Sequence, residues 1–398
     1  MDNNTENILH IIEKEFQVSA VQAGAENSPF ILRVNGEFRS ADIEGSYNRL
    51  AAELEGLNLL AILKPDGQEL ELTIIPVVEP KKKVHPRVNL LMFVLTLFSV
   101  LFTGGLYAYQ GPLDPADSRW ILDVILSGWP FALGMLAILG AHEFGHYFAG
   151  KAHGANVTLP FFIPFPLSSF GTMGAIINMR SIPRNKKALF DLAFTGPVSG
   201  FIVSIIVLII GLSLSETGAI PLRTDLDMPI QMEGNSLLYL FIKYIMFGKL
   251  LPHPAGLNGL SLLVFWGRYF FTGLPFPYGA EDVLLHPVAW AGWAGLFITG
   301  LNLIPAGQLD GGHILQAVFS PKLLRRILPY VVGGLAVMGF FWNGWWMWAL
   351  LLFFIGRQAA LPLDQVTQLD RKRKILGYVA IIIFLITFIP VPISIVGM

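Results

Sequence analysis

The chain has 398 residues, of which 54% are hydrophobic and only 14% are charged, and its formal net charge is −1. Soluble proteins carry about 25% charged residues, so this composition indicates a protein that lies in a membrane. A chain without net positive charge lacks the basic surface that nucleic acids need, which argues against a nucleic-acid partner. Cysteine is absent, which excludes disulfides, thiolate ligands and a cysteine nucleophile and leaves His, Asp and Glu as metal ligands.

Residues 1–80 are more polar than the rest and predict a small soluble α+β domain. Two segments, "ENILHIIEKEF" and "SYNRLAAELEGL", carry apolar residues at helical spacing. "FILRVNGEFRS" alternates like a strand, and its Asn35-Gly36 pair predicts a tight turn. "LLAILKPDGQELELTIIPV" predicts a hairpin that turns at Pro65-Asp66-Gly67. The first residues lack a basic segment followed by an apolar one, so no cleaved signal peptide is expected.

A basic linker, residues 81–87, leads into a series of apolar stretches that predict membrane spans. A span needs about 20 apolar residues, and five stretches come near that length: 88–109, 121–149, 188–214, 285–304 and 374–395. The shorter stretches 236–252 and 257–275 predict a hairpin or re-entrant segments, and 328–356 is long enough for a hairpin that turns at Asn343-Gly344. The sequence therefore predicts a mainly α, polytopic membrane bundle of about seven to nine spans over residues 88–398.

Basic residues predict the side of the membrane that each loop occupies, because Lys and Arg accumulate in cytoplasmic loops. Three basic groups flank predicted spans, and "RKRK" at 371–374 precedes the last span. The three groups are Lys81, Lys82, Lys83 and Arg87; Arg180, Arg184, Lys186 and Lys187; and Lys322, Arg325 and Arg326. The loop "GPLDPADSRW" and the segment 216–233 are more acidic and are expected on the opposite side. The N-terminal domain is therefore expected in the cytoplasm.

The stretch "AILGAHEFGHYFAG", residues 137–150, places three ionisable side chains at the end of a predicted span. His142 and His146 are four residues apart, so on a helix their imidazoles share a face and can bind one ion. Glu143 is offset by about 100° and can act as a general base towards water and later as an acid towards a leaving amine. This is the H-E-x-x-H pattern of zinc metalloproteases. A purely structural polar cluster is the alternative, but ionisable residues at membrane depth are costly and usually functional.

A catalytic zinc site takes three protein ligands, so two histidines do not complete it. Asp310 follows a predicted span in a turn rich in Pro and Gly, "GLNLIPAGQLDGGHIL" at 300–315. His313, Asp191 and His286 compete with it for the role of third ligand. Asp191 and His286 are more simply helix-end residues, and His313 also fits a packing role or support of a ligand. The spacing alone leaves both Asp310 and His313 open.

Two motifs, "HEFGH" at 142–146 and "NLIPAGQLDGG" at 302–312, resemble those of the site-2 protease family, peptidase family M50. The resemblance covers about residues 120–320. It implies one zinc ion per chain, bound by His142, His146 and Asp310, with Glu143 as the catalytic base. It also implies that Asn302 faces the metal and binds substrate or the oxyanion, although Asn302 could instead satisfy backbone groups of a broken helix.

The resemblance also implies a substrate class and a location. No PDZ domain is recognisable, and stretches such as "DLAFTGPVSGF" are similar to a branch of the family found in bacteria and plastids. Such enzymes hydrolyse peptide bonds in or near the transmembrane segments of membrane-protein substrates. A multi-pass protein of a bacterial plasma membrane or a plastid membrane is therefore implied, with the bilayer and a substrate's transmembrane helix as partners.

Two other functions are alternatives to an intramembrane protease. A cation transporter would use the polar cluster as a binding site, but no second half mirrors the first, as the inverted repeats of transporters would. A non-catalytic membrane scaffold is disfavoured by the intact Glu143.

Residues 158–180, "TLPFFIPFPLSSFGTMGAIINMR", contain too many prolines for one helix. "GAIINMR" has strand character and could pair with an extended substrate by edge addition; an interfacial loop is the alternative. The N-terminal domain matches no motif, and we expect it to control access, recruit substrate or mediate formation of a homo-oligomer.

Overall fold

The structure is a computed structural model that describes residues 3–25, 28–77, 85–111, 119–177, 179, 181–222, 230–358 and 360–396. Several positions used above to predict orientation lie outside these residues. They are Lys81, Lys82, Lys83 and Arg180, with residues 112–118 and 223–229 of the two acidic loops.

The N-terminal region folds as two helices against an antiparallel sheet with strand order β1-β2-β4-β3. Its elements are α1 (Asn3–Glu15), β1 (Phe16–Ala23), β2 (Leu32–Phe38), α2 (Ile43–Glu55), β3 (Leu59–Asp66) and β4 (Glu69–Pro76). The helices bury the apolar faces that their periodicity predicted, for example Ile8 and Ile12 in α1 and Leu50 and Leu54 in α2. This confirms the predicted small α+β region, and the β3–β4 turn contains Gly67 in a left-handed conformation.

The tight turn predicted at Asn35-Gly36 is wrong, because both residues lie inside β2. Gly36 pairs with Val18 of β1, next to an irregularity in the register of the two strands. A Cβ at Gly36 would lie 2.0 Å from the carbonyl oxygen of Gln17 and 2.9 Å from the ring of Phe16. The glycine is therefore required by the close approach of two strands, which the Asn-Gly pattern cannot distinguish from a turn.

The rest of the described chain is mainly helical. The helices are α3 (Pro86–Ala108), α4 (Arg119–Ser127), α5 (Trp129–Ala152), α6 (Lys186–Ser213), α7 (Leu237–Phe247), α8 (Gly259–Thr272), α9 (Pro287–Asn302), α10 (Asp310–Val318), α11 (Pro321–Met338), α12 (Gly344–Ile355) and α13 (Arg371–Thr387). Three short pairs of antiparallel strands join them: β5 (Phe161–Pro164) with β6 (Thr172–Ile176), β7 (Glu216–Ala219) with β9 (Glu281–Leu284), and β8 (Ile230–Glu233) with β10 (Ile393–Val396). The break between α11 and α12 agrees with the hairpin predicted over 328–356.

Within the described residues, two helices are long and apolar enough to cross a membrane, α3 and α6. A third span results if α4 and α5 count as one, although the two helices are bent by 50° at their junction. α7 and α12 are apolar but shorter. The chain thus has the helices of a membrane protein, and the larger number of spans expected from the sequence remains a prediction.

Helices α5, α6 and α9 pack against one another and form the centre of the helical region. Small residues allow this close approach: a Cβ at Gly292 of α9 would lie 2.4 Å from the backbone nitrogen of Leu208 in α6. A Cβ at Gly145 of α5 would lie 2.4 Å from the Oγ of Ser199 in α6. Such small-residue contacts are the usual way in which helices associate in membranes.

A segment between α12 and α13, residues 361–367, fastens the N-terminal region to the helical region; we call it the strap. The backbone N–H of Leu63 in β3 donates to the carbonyl of Leu363 (2.8 Å), and that of Gln365 donates to the carbonyl of Leu63 (3.0 Å). Leu363 also donates to Pro183 (2.9 Å), just before α6, and its side chain is part of the N-terminal core. The N-terminal region is therefore attached near the start of α6 by backbone hydrogen bonds.

Side chains add to this attachment. Lys187 in the first turn of α6 forms an ion pair of 2.7 Å with Glu44 of α2, and Arg184 donates to the carbonyl of Asn48 (3.1 Å). Two of the basic residues that predicted a cytoplasmic loop thus also bind the N-terminal region.

Candidate metal centre

Helix α5 presents three of the predicted site residues. His142 and His146 are one helical turn apart, and their Nε2 atoms lie 3.1 Å from each other. Glu143 is 5% exposed and lines the cavity that the two histidines also line. The helix ends at Ala152, so the two histidines lie about 9 to 15 Å from its end at a rise of about 1.5 Å per residue.

Asp310 reaches these histidines because the chain folds back sharply between α9 and α10. α9 ends at Asn302 and α10 begins at Asp310. A Cβ at Gly311 would lie 2.1 Å from the carbonyl oxygen of Leu303, so only glycine allows this close approach. Asp310 occupies the first turn of α10, where the partial positive charge of a helix N-terminus favours a carboxylate.

The three side chains converge with distances that suit a zinc ion. Within the described residues, His142, His146 and Asp310 form a group whose ligand atoms all lie within 4.8 Å of one another. The Oδ2 of Asp310 is 3.5 Å from Nε2 of His142 and 3.4 Å from Nε2 of His146. A tetrahedral zinc with bonds of about 2.0–2.1 Å separates its ligand atoms by about 3.3 Å. The residues present therefore fit the metal, and three protein ligands leave its fourth position open.

Helix α6 holds His146 in place through a contact that was not predicted from the sequence. The Nδ1 of His146 donates to the carbonyl of Leu192 (2.6 Å), and this leaves Nε2 free as a metal ligand. Gly196 lies against the ring, since a Cβ there would be 2.1 Å from Nε2 of His146. The pair Gly196 and Gly200 forms a G-x-x-x-G pattern, the signal from which a close contact between α6 and its neighbour could have been predicted.

The candidate ligands open into a cavity of about 270 Å³. Asn302, at the end of α9, and His313, in α10, both line it. The structure thus places Asn302 in the same cavity as the three ligands. His313 lies beside the ligand group without belonging to it.

The two other candidate ligands are elsewhere. Asp191 accepts hydrogen bonds from Arg373 (2.7 and 2.5 Å) and lies 2.8 Å from Nε2 of His153. His286 is the N-cap of α9, where its Nδ1 accepts from the backbone N–H of Val288 (3.2 Å). His286 is thus a helix-end residue, as its position in the sequence suggested, whereas Asp191 lies in the second turn of α6.

The strand predicted in "GAIINMR" is present in part. β6 covers Thr172–Ile176 and pairs with β5, and Met179 forms an isolated bridge with Val157. Residues 178 and 180 are outside the described residues. Ala175, Ile176 and Ile177 line the metal-site cavity, so this strand and the segment after it form one wall of the cavity.

A cluster of two imidazoles and a carboxylate beside a buried glutamate, in a helical membrane protein, defines the site of a metallohydrolase. Comparison with known families agrees with this class. The model of Peptidase family M50 matches residues 130–341, more than half of the chain, and the matched range contains the three candidate ligands and Glu143. The chain belongs to this family, which confirms the resemblance seen in the sequence.

Several curated relatives are similar to the chain. The protein named "Probable zinc metalloprotease EGY2, chloroplastic" of Arabidopsis thaliana is 27% identical over 331 residues, which is 81% of this chain and 53% of the relative. "Probable zinc metalloprotease EGY1, chloroplastic" of Oryza sativa subsp. japonica is 30% identical over 324 residues, which is 76% of this chain and 50% of the relative. The chain thus spans about half the length of the curated relatives that it matches. No solved structure matches the chain.

Proposed function

We propose that the chain is a zinc metalloendopeptidase that cleaves peptide bonds in or near the transmembrane segments of membrane-protein substrates. The convergence of His142, His146 and Asp310 beside Glu143, in helices of a membrane protein, carries this proposal. Membership of peptidase family M50 and the zinc metalloprotease names of the relatives support it.

The roles of the residues follow from their positions. His142, His146 and Asp310 would hold one zinc per chain, which would supply Lewis-acid polarisation of the scissile carbonyl. Glu143 takes the proton of the attacking water and delivers it to the leaving amine. Asn302 lines the cavity and has an amide N–H that can donate to the developing oxyanion. The burial of Glu143 keeps its carboxylate away from bulk water, so that the proton stays within the site.

The wall formed by β6 supports an extended conformation of the substrate. β6 pairs with β5 in a two-stranded sheet, and it lines the cavity that contains the ligands. We propose that a substrate segment adds to this sheet by backbone hydrogen bonds, since extended backbone at membrane depth is tolerated where it lines a protein cavity. The substrate helix would have to unwind at the scissile bond to make these contacts.

The proposed location is a bacterial plasma membrane or a plastid membrane, with about seven to nine spans from residue 88 onward and the N-terminal domain, residues 1–80, in the cytoplasm. The chloroplast names of the relatives and the apolar helices support a membrane location. The strap and the ion pair between Lys187 and Glu44 hold the N-terminal region near the start of α6 at Lys186, six residues before Leu192, whose carbonyl binds His146. It is therefore well positioned to influence access to the site.

The full-length chain and its Glu143→Gln variant, purified in detergent, test the proposal. The variant should keep its bound zinc, because Glu143 is not a ligand, and should cleave a membrane-spanning test substrate at least roughly a hundredfold more slowly. Zinc is measured by metal analysis and cleavage by the appearance of fragments. Proteomics of membrane-protein fragments from cells with either form would then identify natural substrates.

Glu53→Gln is a matched control, since Glu53 is an exposed residue of α2 that pairs with Lys14 far from the cavity. It should cleave at the wild-type rate. Absence of proteolysis in both the wild-type protein and Glu143→Gln, with zinc bound, would refute the proposal and favour a cation-binding transporter or a scaffold.

A further inference from the structure

Asp191 directly precedes Leu192, whose carbonyl accepts the hydrogen bond from Nδ1 of His146 (2.6 Å). It lies in the second turn of α6 and, within the described residues, contributes no atom to the ligand group. The hydrogen bonds of an α-helix hold neighbouring residues in a fixed relative position. A contact of the Asp191 side chain therefore also bears on the carbonyl that orients His146.

The carboxylate of Asp191 joins three helices. Its Oδ1 accepts from Nε of Arg373 in α13 (2.7 Å), and its Oδ2 accepts from a terminal nitrogen of the same guanidinium (2.5 Å). Nε2 of His153, the C-cap of α5, lies 2.8 Å from Oδ2. Two parallel bonds from one guanidinium fix the orientation of a carboxylate as well as its distance. The carboxylate thus holds α6 against the end of α5 and the start of α13.

Arg373 is itself held in place at the start of α13. Asp370, the N-cap of that helix, accepts from the backbone N–H of Arg373 (3.0 Å) and from its guanidinium. The side chains of Asp191 and Arg373 are 24% and 28% exposed, so salt and water screen their ion pair less than a fully exposed one. Arg373 is therefore a fixed point to which Asp191 is attached.

The turns of α6 after Asp191 are aligned with the turns of α5 that carry the two histidines. Oγ1 of Thr195 lies 3.1 Å from the carbonyl oxygen of Gly145, and Oγ of Ser199 lies 2.8 Å from that of Ala141. Each of these carbonyls belongs to the residue directly before one of the histidines. A shift of α6 along α5 would therefore displace the acceptor of the His146 imidazole from its place.

We propose that Asp191 is a positioning residue for His146, because its ion pair with Arg373 fixes the turn of α6 whose carbonyl binds the imidazole. The inference rests on the proposed metal site and identifies a residue that supports it without touching metal or substrate. Loss of a group that directly supports a ligating imidazole weakens metal binding by roughly 10- to 100-fold. The carbonyl of Leu192 remains when Asp191 is changed, so we expect a smaller effect.

Three substitutions in the full-length protein, stripped of metal and reloaded, test the inference. Asp191→Asn keeps the size of the side chain and removes its charge, and Arg373→Lys keeps the charge and removes the two parallel bonds. Glu281→Gln is the matched control, since it removes a carboxylate that binds Lys249 (2.5 Å) in β9, beyond the other end of α6.

Three measurements separate positioning from general stability. The zinc Kd is measured by competition with a chelator, and KM and kcat are measured at saturating zinc with a membrane-spanning test substrate. Cobalt(II) accepts the same nitrogen and oxygen ligands, and its visible absorption spectrum reports their arrangement around the metal. A purely structural role would lower the unfolding temperature but leave the spectrum and kcat of the folded, metal-loaded protein unchanged.

We expect the zinc Kd to rise about three- to tenfold in Asp191→Asn and in Arg373→Lys, with an altered cobalt spectrum. In both variants kcat should fall by about the same factor, while KM should stay within about twofold of the wild type. The double variant should be no worse than Asp191→Asn, because both substitutions remove the same pair. Glu281→Gln should behave as the wild type in all three measurements.

Other outcomes overturn the inference. A wild-type zinc Kd and cobalt spectrum in Asp191→Asn would refute it, whether or not the unfolding temperature falls. The same changes in Glu281→Gln would show that loss of any ion pair has this effect, which would also refute it. If the metal measurements changed as expected but the wild type cleaved no substrate, the positioning role would stand and the proposed peptidase would fail. If the wild type bound no zinc, both would fail together.

Discussion

The helical region contains two buried polar clusters that differ in how their charges are balanced. In the metal-site cluster, His142, His146 and Asp310 direct their ligand atoms at one point. In the second cluster, Lys243 of α7 is fully buried, with its Nζ 3.5 Å from Asp282 and 4.0 Å from Glu233. The second cluster lies beyond the end of α6 that is opposite to the N-terminal region, where β8 and β9 carry the two acids.

The second cluster contains its own cation. Lys243 lies between two carboxylates and over the ring of Tyr239 (4.5 Å), and the Tyr239 hydroxyl donates to Glu233 (2.9 Å). Buried charges are tolerated when they are paired and hydrogen-bonded in this way. Lys243 thus gives both carboxylates a positive partner that belongs to the chain itself.

The metal-site cluster has no lysine or arginine among its three members, and two Nε2 atoms at 3.1 Å both point to its centre. Two Nε2 lone pairs that point at the same centre repel each other, and a cation between them would remove this repulsion. In the second cluster, the ammonium group of Lys243 supplies the positive charge. Both clusters contain buried ionisable side chains, so burial alone does not distinguish them. The informative feature is whether the compensating positive charge belongs to the chain.

The largest expected effect is the loss of zinc when Asp310 is changed. Asp310→Ala should weaken zinc binding by roughly a hundredfold or more, which exceeds the effect of losing a residue that only supports a ligand, and should abolish cleavage. Asp282→Ala removes a carboxylate from the cluster that contains Lys243 and should leave zinc stoichiometry unchanged. Metal analysis of both purified proteins checks this. Equal zinc content in Asp310→Ala and the wild type would disprove the third-ligand assignment.

A single methyl group added at Gly196 should disturb the metal-site cluster. In Gly196→Ala the new Cβ would lie 2.1 Å from Nε2 of His146, so the ring or α6 has to move. A displacement of about 1 Å can lower catalysis by roughly a hundredfold. We expect lower kcat/KM and weaker zinc binding. Gly140→Ala in α5 is the matched control, because a Cβ there meets nothing within 4 Å, and it should behave as the wild type.

Removing the ammonium group of Lys243 should lower the stability of the fold and leave zinc binding unchanged. Lys243→Met leaves Glu233 and Asp282 buried without a positive partner, which should cost about 3–5 kcal/mol of folding free energy. Thermal unfolding of the protein in detergent would measure the loss, while the folded fraction should keep its zinc. Adding Glu233→Gln and Asp282→Asn to Lys243→Met should restore part of the stability. Unchanged stability in Lys243→Met would contradict the pairing of Lys243 with the two buried carboxylates.

The smallest effect is expected for an exposed ion pair of the N-terminal region. The guanidinium of Arg49 donates to Glu15 (2.6 and 2.8 Å) and lowers the pKa of Glu15 from 4.5 to about 2. A lowered carboxyl pKa stabilises the fold above the unfolded value, and this contribution is lost as the pH falls from about 4.5 to about 2. Hydrogen exchange of residues 3–77 in the full-length chain should show slightly less protection in Glu15→Gln at pH 7. The difference should vanish towards pH 2, and a difference that grew with acidity would contradict the assignment.

The sequence was sufficient for features that depend on local spacing. The faces of α1 and α2, the β3–β4 hairpin and the pairing of His142 with His146 each follow from residues within one or two turns of one another. The strand β1 and the short strand pairs β7–β9 and β8–β10 were not predicted. The partners of the strands in these short pairs lie far along the chain. The register of β1 with β2 shifts between Val18 and Ala20, so β1 has no uninterrupted pairing pattern.

The sequence by itself determined a mainly helical membrane protein with a small α+β region, because hydrophobic periodicity is visible within short segments. Its two motifs, HEFGH and NLIPAGQLDGG, also carried the resemblance to a metalloprotease family. The tertiary structure decided that Asp310 rather than His313 meets the histidines, that the carbonyl of Leu192 orients His146, and that the strap joins the N-terminal region to the start of α6. Each of these depends on which distant segments pack together, and spacing within a segment carries no information about that packing.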